Sequence, residues 1–88
     1  MNSPPEQFEV SVLLFGPAAH AARATAVSVR LSPGATATDL LTALAHQHPA
    51  IKSEASVGRI AVDHAFVAPS TPITAGPELA LISMVSGG

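Results

Sequence analysis

The chain has 88 residues, a formal net charge of −2 and no cysteine. That length supports one modest core and not two, and the missing thiols exclude disulfides, a thiol nucleophile and thiolate metal sites. Four basic residues and the absence of Tyr and Trp exclude a phosphate-neutralising, base-stacking surface for nucleic acid.

Residues 1–7, with Pro4 and Pro5, read as a short disordered leader. Phe8, Val10, Val12 and Leu14 then alternate with Glu9, Ser11 and Leu13, the period of a strand with one face on a core, closed by Gly16-Pro17. The alanine-rich segment that follows is expected to be a long connecting loop, because Gly-Pro precedes it and a second alternating run, Val27, Val29 and Leu31, comes directly after. These two strands read as a hairpin. Thr36 and Asp39 have capping-box spacing, Leu40, Leu41, Leu44 and His48 share a helical face, and Pro49 ends the run, so the pattern predicts a helix over about residues 37–48. After an expected loop around Lys52–Ser56, Arg59–Val62 reads as a strand, Asp63-His64 as a turn and Phe66-Val67 as a short edge piece. Pro69 and Pro72 keep the next stretch irregular. The final run, Leu79–Met84, is apolar at every position but Ser83, which is the pattern of a central strand.

The resulting order predicts an α+β domain over residues 8–84, a mixed four- to five-stranded sheet with one main helix packed on one face, followed by an exposed tail, residues 85–88. No basic segment leads into an apolar run at the start, and no 18 apolar residues occur together. A cytoplasmic protein without a membrane partner is expected.

No constellation of an autonomous enzyme is present. His46 and His48 point to different helix faces, His20 and His64 are expected in loops, and no carboxylate cluster accompanies them, so no metal site is expected. A Gly-x-Ser-x-Gly elbow is missing, and Gly16, Gly34, Gly58 and Gly76 fall at turns without forming a phosphate loop. Asp39 reads as a helix cap. Phe15 and Phe66 are core residues by type. Yet if Val10, Val12 and Leu14 face the helix, Leu13 and Phe15 face the other side of the sheet, where no second helix is available. With only 11% of residues charged, a partner subunit is the natural cover for that face, with Arg30 and Arg59 at its rim. The two terminal glycines serve no turn; lacking Cβ, they form a thin tail with an unshielded carboxylate, suited to a narrow slot.

The segments "VSVLLFG", "SPGATATDLLTAL", "RIAVDHAFV" and "ITAGPELALISMVSGG" together resemble the small subunits of molybdopterin synthase, ubiquitin-like sulfur carriers of the β-grasp fold. The resemblance covers residues 8–88. It implies that an E1-like adenylating enzyme uses ATP to activate the Gly88 carboxylate, that a sulfur donor converts it to a thiocarboxylate, and that the large synthase subunit, in a heterotetramer, receives the tail. By position, Gly88 would carry the sulfur, Gly87 would pass the slot, Val85 and Ser86 would contact the partner, and Phe15 would lie in the docking face. The carrier would bind no cofactor itself and would be the sulfur-donating, not the catalytic, subunit. Ser83-Met84 replaces a proline pair of that family, Ala75-Gly76-Pro77 replaces an acidic turn, and the first loop lacks the family's charges. Carriers for thiamine thiazole or cysteine synthesis, a protein modifier, and a β-grasp interaction module with incidental glycines are the alternatives.

Overall fold

The structure, a computed structural model, describes residues 6–83; the leader residues 1–5 and the expected tail, with Met84, Val85, Ser86, Gly87 and Gly88, lie outside the described residues. Strand β1 (Phe8–Leu14) buries Val10, Val12 and Leu14 on one face, as its alternation predicts. It pairs antiparallel with β2 (Ala26–Leu31) in the register Val10↔Val29 and Val12↔Val27.

The connection between them is not the expected loop but a helix, α1 (Gly16–Ala22). Gly-Pro, read as a terminator of the strand, is also a helix start, since Pro17 presets the backbone angle of the first turn and loses no bonded N–H there. Alanine supplies the propensity and the thinness: Ala18 is completely buried, which lets the helix axis lie close to the core. Arg23 ends it in the left-handed conformation (φ 54°), its N–H directed at the carbonyls of Ala19 and His20.

Helix α2 (Ala37–Gln47) is the main helix, with Leu40 and Leu44 fully buried. Its amino end is satisfied donor by donor. Asp39 N–H donates to Thr36 Oγ1 (3.3 Å) while Thr36 N–H donates to Asp39 Oδ2 (2.9 Å), completing the predicted capping box. The N–H groups of Ala37 and Thr38 donate to the carbonyls of Thr71 and Pro69, at 2.9 and 3.0 Å. The proline-rich irregular stretch therefore serves as the helix's second cap. Ile73 fastens it, buried and donating its N–H to the Ala35 carbonyl at 2.8 Å.

Beyond Pro49 the expected loop is again helical: a single 3-10 turn (Pro49–Ile51) leads into α3 (Lys52–Val57). Ile51 and Ala55, four residues apart, are both buried, and this one-turn apolar repeat is too short to stand out among Lys52, Ser53, Glu54 and Ser56. Strand β3 (Gly58–Val62) follows without a break, because Gly58 passes where a side chain could not. A Cβ there would come within 2.5 Å of Leu81 Cδ1 and 2.8 Å of the Glu54 carbonyl oxygen. Asp63 and His64, both at positive φ (48° and 71°), make the two-residue turn of a right-twisted hairpin into β4 (Ala65–Phe66). Strand β5 (Leu79–Ser83) closes the sheet in the order β2-β1-β5-β3-β4, parallel to β1 and antiparallel to β3.

All three helices pack on one face of this mixed five-stranded sheet, around a single core that includes Val12, Leu14, Leu40, Leu44, Ile51, Ile60, Leu79 and Leu81. This is the β-grasp arrangement. Its β2 edge is closed by side chains from the end of α2. The Gln47 amide accepts from Arg30 N–H and donates to Arg30 C=O, each at 2.9 Å, and His48 Nε2 meets the Ser28 carbonyl at 2.7 Å. Gln47 thus imitates one rung of a neighbouring strand, blunting an edge that would otherwise invite another chain.

Two outcomes test this account. Gly58→Ala is expected to lower stability by about 1–3 kcal/mol in urea unfolding, since the colliding carbonyl belongs to the backbone and cannot swing away. Gln47→Ala is expected to speed amide hydrogen exchange at Arg30 by up to about tenfold, as one net hydrogen bond is lost, with Val29, inside the ladder, unchanged.

Candidate functional site

Alternation along the strands sends every second side chain to the face that no helix covers among the described residues. Register arranges these into rows. Leu13 of β1, Ala80 of β5, Ala61 of β3 and Phe66 of β4 are successive Cα partners across the sheet, and Ile82 of β5 pairs with Arg59 of β3 in the next row, beside Phe15 at the end of β1. Ala61 and Ala80 are nearly inaccessible, and around these small residues stand Phe15, 53% exposed, and Phe66, 48% exposed. Together with Ile82, His64 and Glu78 they line a shallow apolar depression of about 320 Å³. Two large aromatic rings half in water on an otherwise small-residue floor form a surface that is suited to a protein partner.

The predicted face is therefore present, and Phe15 lies in it as expected. Phe66, a core residue by type, is the correction: it belongs to the open face and not to the core. The signal was available in the chain, because a two-residue turn at Asp63-His64 makes Phe66 the partner of Ala61, and Ala61 alternates with buried Ile60. Arg59 sits at the rim as anticipated, its guanidinium carbon 4.8 Å from the centre of the Phe66 ring. Arg30 shares the face but lies far from the aromatics, opposite Glu9 in a polar half with Ser11 and Ser28.

The other end of the depression is tied down by polar contacts. His64 Nε2 lies 2.7 Å from Glu78 Oε2. Asp63 N–H donates to the Glu78 carbonyl at 2.8 Å and Asp63 Oδ1 accepts from Glu78 N–H at 2.9 Å, so the hairpin turn and the approach to β5 are locked together. Ser83, whose Cα partner is Gly58, is followed in the sequence by Met84 and then Val85, Ser86, Gly87 and Gly88, which fall outside the described residues. The described part of β5 ends one residue beyond the pair of Ile82 and Arg59.

A larger cleft of about 500 Å³ lies between β2 and α2, where Asp39 is engaged in the helix cap and Gln47 on the β2 edge. His20 lies in α1 and not in a loop, and His48 serves the β2 edge. Among the described residues no three His, Cys, Asp or Glu side chains converge as metal ligands, and no helix is long and apolar enough to cross a membrane.

The ThiS family matches residues 12–88, to the last residue of the sequence. No curated protein matches the chain. Among solved structures, the chain is similar to the SAMP1 protein of Haloferax volcanii, at 31% identity, with 92% of this chain and 100% of that chain covered and a TM-score of 0.74. It is also similar to a protein described as molybdopterin converting factor subunit 1 of Pyrococcus furiosus, at 21% identity over 88% of this chain and 98% of that one, with a TM-score of 0.73. A complex of subunits 1 and 2 of the molybdopterin-converting factor of Helicobacter pylori contains a chain at 22% identity, with coverage of 92% and 100% and a TM-score of 0.61. At these last two identities the likeness concerns the fold.

The two faces of the sheet make opposite predictions. Phe66→Ser, on the open face, is expected to keep the unfolding free energy within about 1 kcal/mol of the parent, whereas Leu81→Ala, on the buried face, is expected to cost about 2–5 kcal/mol. Urea midpoints of the two variants check both.

Proposed function

The chain belongs to the ThiS family of ubiquitin-like sulfur carriers, and from that premise we propose that it is the small, sulfur-donating subunit of a molybdopterin synthase, acting in the cytoplasm. Gly88 is then the reacting residue. An E1-like enzyme would join the Gly88 carboxylate to AMP from ATP, releasing pyrophosphate, because a carboxylate oxygen is a poor leaving group and AMP is a good one. A persulfide donor would attack the acyl carbon and expel AMP; a thiol then cleaves the sulfur–sulfur bond, leaving the thiocarboxylate on Gly88 and a disulfide on the donor. The large synthase subunit would accept the tail and pass the sulfur to the pterin precursor.

The observation that carries this reading is the uncovered face of Phe15, Ile82 and Phe66 at the root of a glycine tail. A tail of four residues reaches roughly 13 Å when extended, so Gly88 enters a buried site only if the domain docks tightly at the tail's root. Val85 and Ser86 would line the passage, and Gly87 would let it be narrow. The paired subunits of the Helicobacter pylori complex support a large-subunit partner. A second reading, attachment of Gly88 to protein amines as a modifier, is favoured by the likeness to SAMP1. Both begin with the same activation.

Incubation of the full chain with ATP, a molybdopterin-type activating enzyme and a sulfur donor is expected to raise the intact mass by the replacement of one oxygen by sulfur. No gain, or a gain that survives deletion of Gly88, overturns the carrier chemistry. Loss of the sulfur to the pterin precursor in the presence of the large subunit supports the synthase reading, while conjugates with other proteins instead of that transfer support the modifier.

A further inference from the structure

Arg59 stands apart from the other charges near the docking face. Glu78 is engaged by His64 and by the Asp63 turn, and that pair is the one ion pair among the described residues. Arg59 has no carboxylate within ion-pairing distance there, and its guanidinium rests on the Phe66 ring, 4.8 Å from the centroid. It is the Cα partner of Ile82, which stands one residue before Ser83, the last described residue. A partner that covers Phe15, Ile82 and Phe66 closely enough to receive a short tail must also take water from this cation.

A guanidinium stripped of water is strongly penalised unless an anion and hydrogen-bond acceptors replace that water. The ring beneath it compensates one face of its plane, and the N–H donors at its edge remain free to form a fork. Resting on Phe66 also removes rotamer freedom in advance, so less is lost on pairing. We propose that Arg59 is the charged anchor of the docking face and that the large subunit presents a carboxylate to it at the root of the tail. This inference rests on the docking reading above and adds the chemistry the partner must supply. Apolar contact with Phe15 and Phe66 provides the area, and the Arg59 pair sets which acidic surface is accepted.

Binding of the full chain to the large molybdopterin synthase subunit of the same organism, followed by titration calorimetry at low and high salt, tests it. Arg59→Met is expected to weaken binding at least about tenfold and to remove most of its salt dependence, with Arg59→Glu weaker still. Because Arg59 is exposed, these variants are expected to fold, which their urea midpoints check. A second measurement looks for the carboxylate directly. With Lys52 as the chain's single lysine, the parent has one side-chain amine for a zero-length carbodiimide, whereas Arg59→Lys is expected to add an amide cross-link to the partner at position 59. Failure of the parent to bind, or self-association through this face in place of binding, overturns the docking reading and this inference with it. Binding that Phe15→Ser abolishes, but that Arg59→Met and salt leave unchanged and that yields no cross-link at position 59, overturns the carboxylate alone.

Discussion

The sheet depends on its last strand. Strands β1 and β2 form one antiparallel ribbon, β3 and β4 another, and the two share no ladder until β5 enters between them, parallel to β1 and antiparallel to β3. Isolated two-stranded ribbons are marginal in water. Insertion of β5 joins them and, on the helix side, buries Leu79 and Leu81 in the core, where the strand meets α1 and α3. Both partners of β5 lie far from it in sequence, so the contacts that complete the core are among those most costly in loop closure.

The same insertion decides the shape of the open face. Leu81 occupies the space that Gly58 leaves open, while its neighbours Ala80 and Ile82 point the other way and join Phe15 and Phe66. The core and the open face thus share one strand but use its opposite sides.

Polar groups close the helix ends and the β2 edge and leave that face open. The amino end of α2 is capped twice, by Thr36 with Asp39 and by the 69–71 carbonyls, while its carboxyl end lends Gln47 and His48 to the β2 edge. On the opposite edge β4 is two residues long, too short to template a partner strand. What remains open is an apolar surface with Arg59 at its aromatic end. Specific docking needs a surface of that kind, with other routes to association closed.

Much of this was legible in the chain. Period-two alternation from Phe8 to Leu14 and from Val27 to Leu31, the Thr36–Asp39 spacing and the apolar final run each follow from short-range geometry, and they place the strands, the main helix and the uncovered side of β1. The glycine tail, too, is read from composition alone. The alanine segment and residues 49–57 were not legible as helices, because Ala18, Ile51 and Ala55 are held by a core assembled from distant segments and one or two buried positions make no period. Phe66 needed the hairpin register to reach the open face, and Arg59 needed Phe66 in place to become a held cation. The sequence by itself determined the strands, the main helix and the glycine ending, since those rest on neighbouring residues; tertiary structure alone decided which side chains meet on the open face, since strand order and register bring residues 15 and 82 beside 59 and 66 of the β3–β4 hairpin.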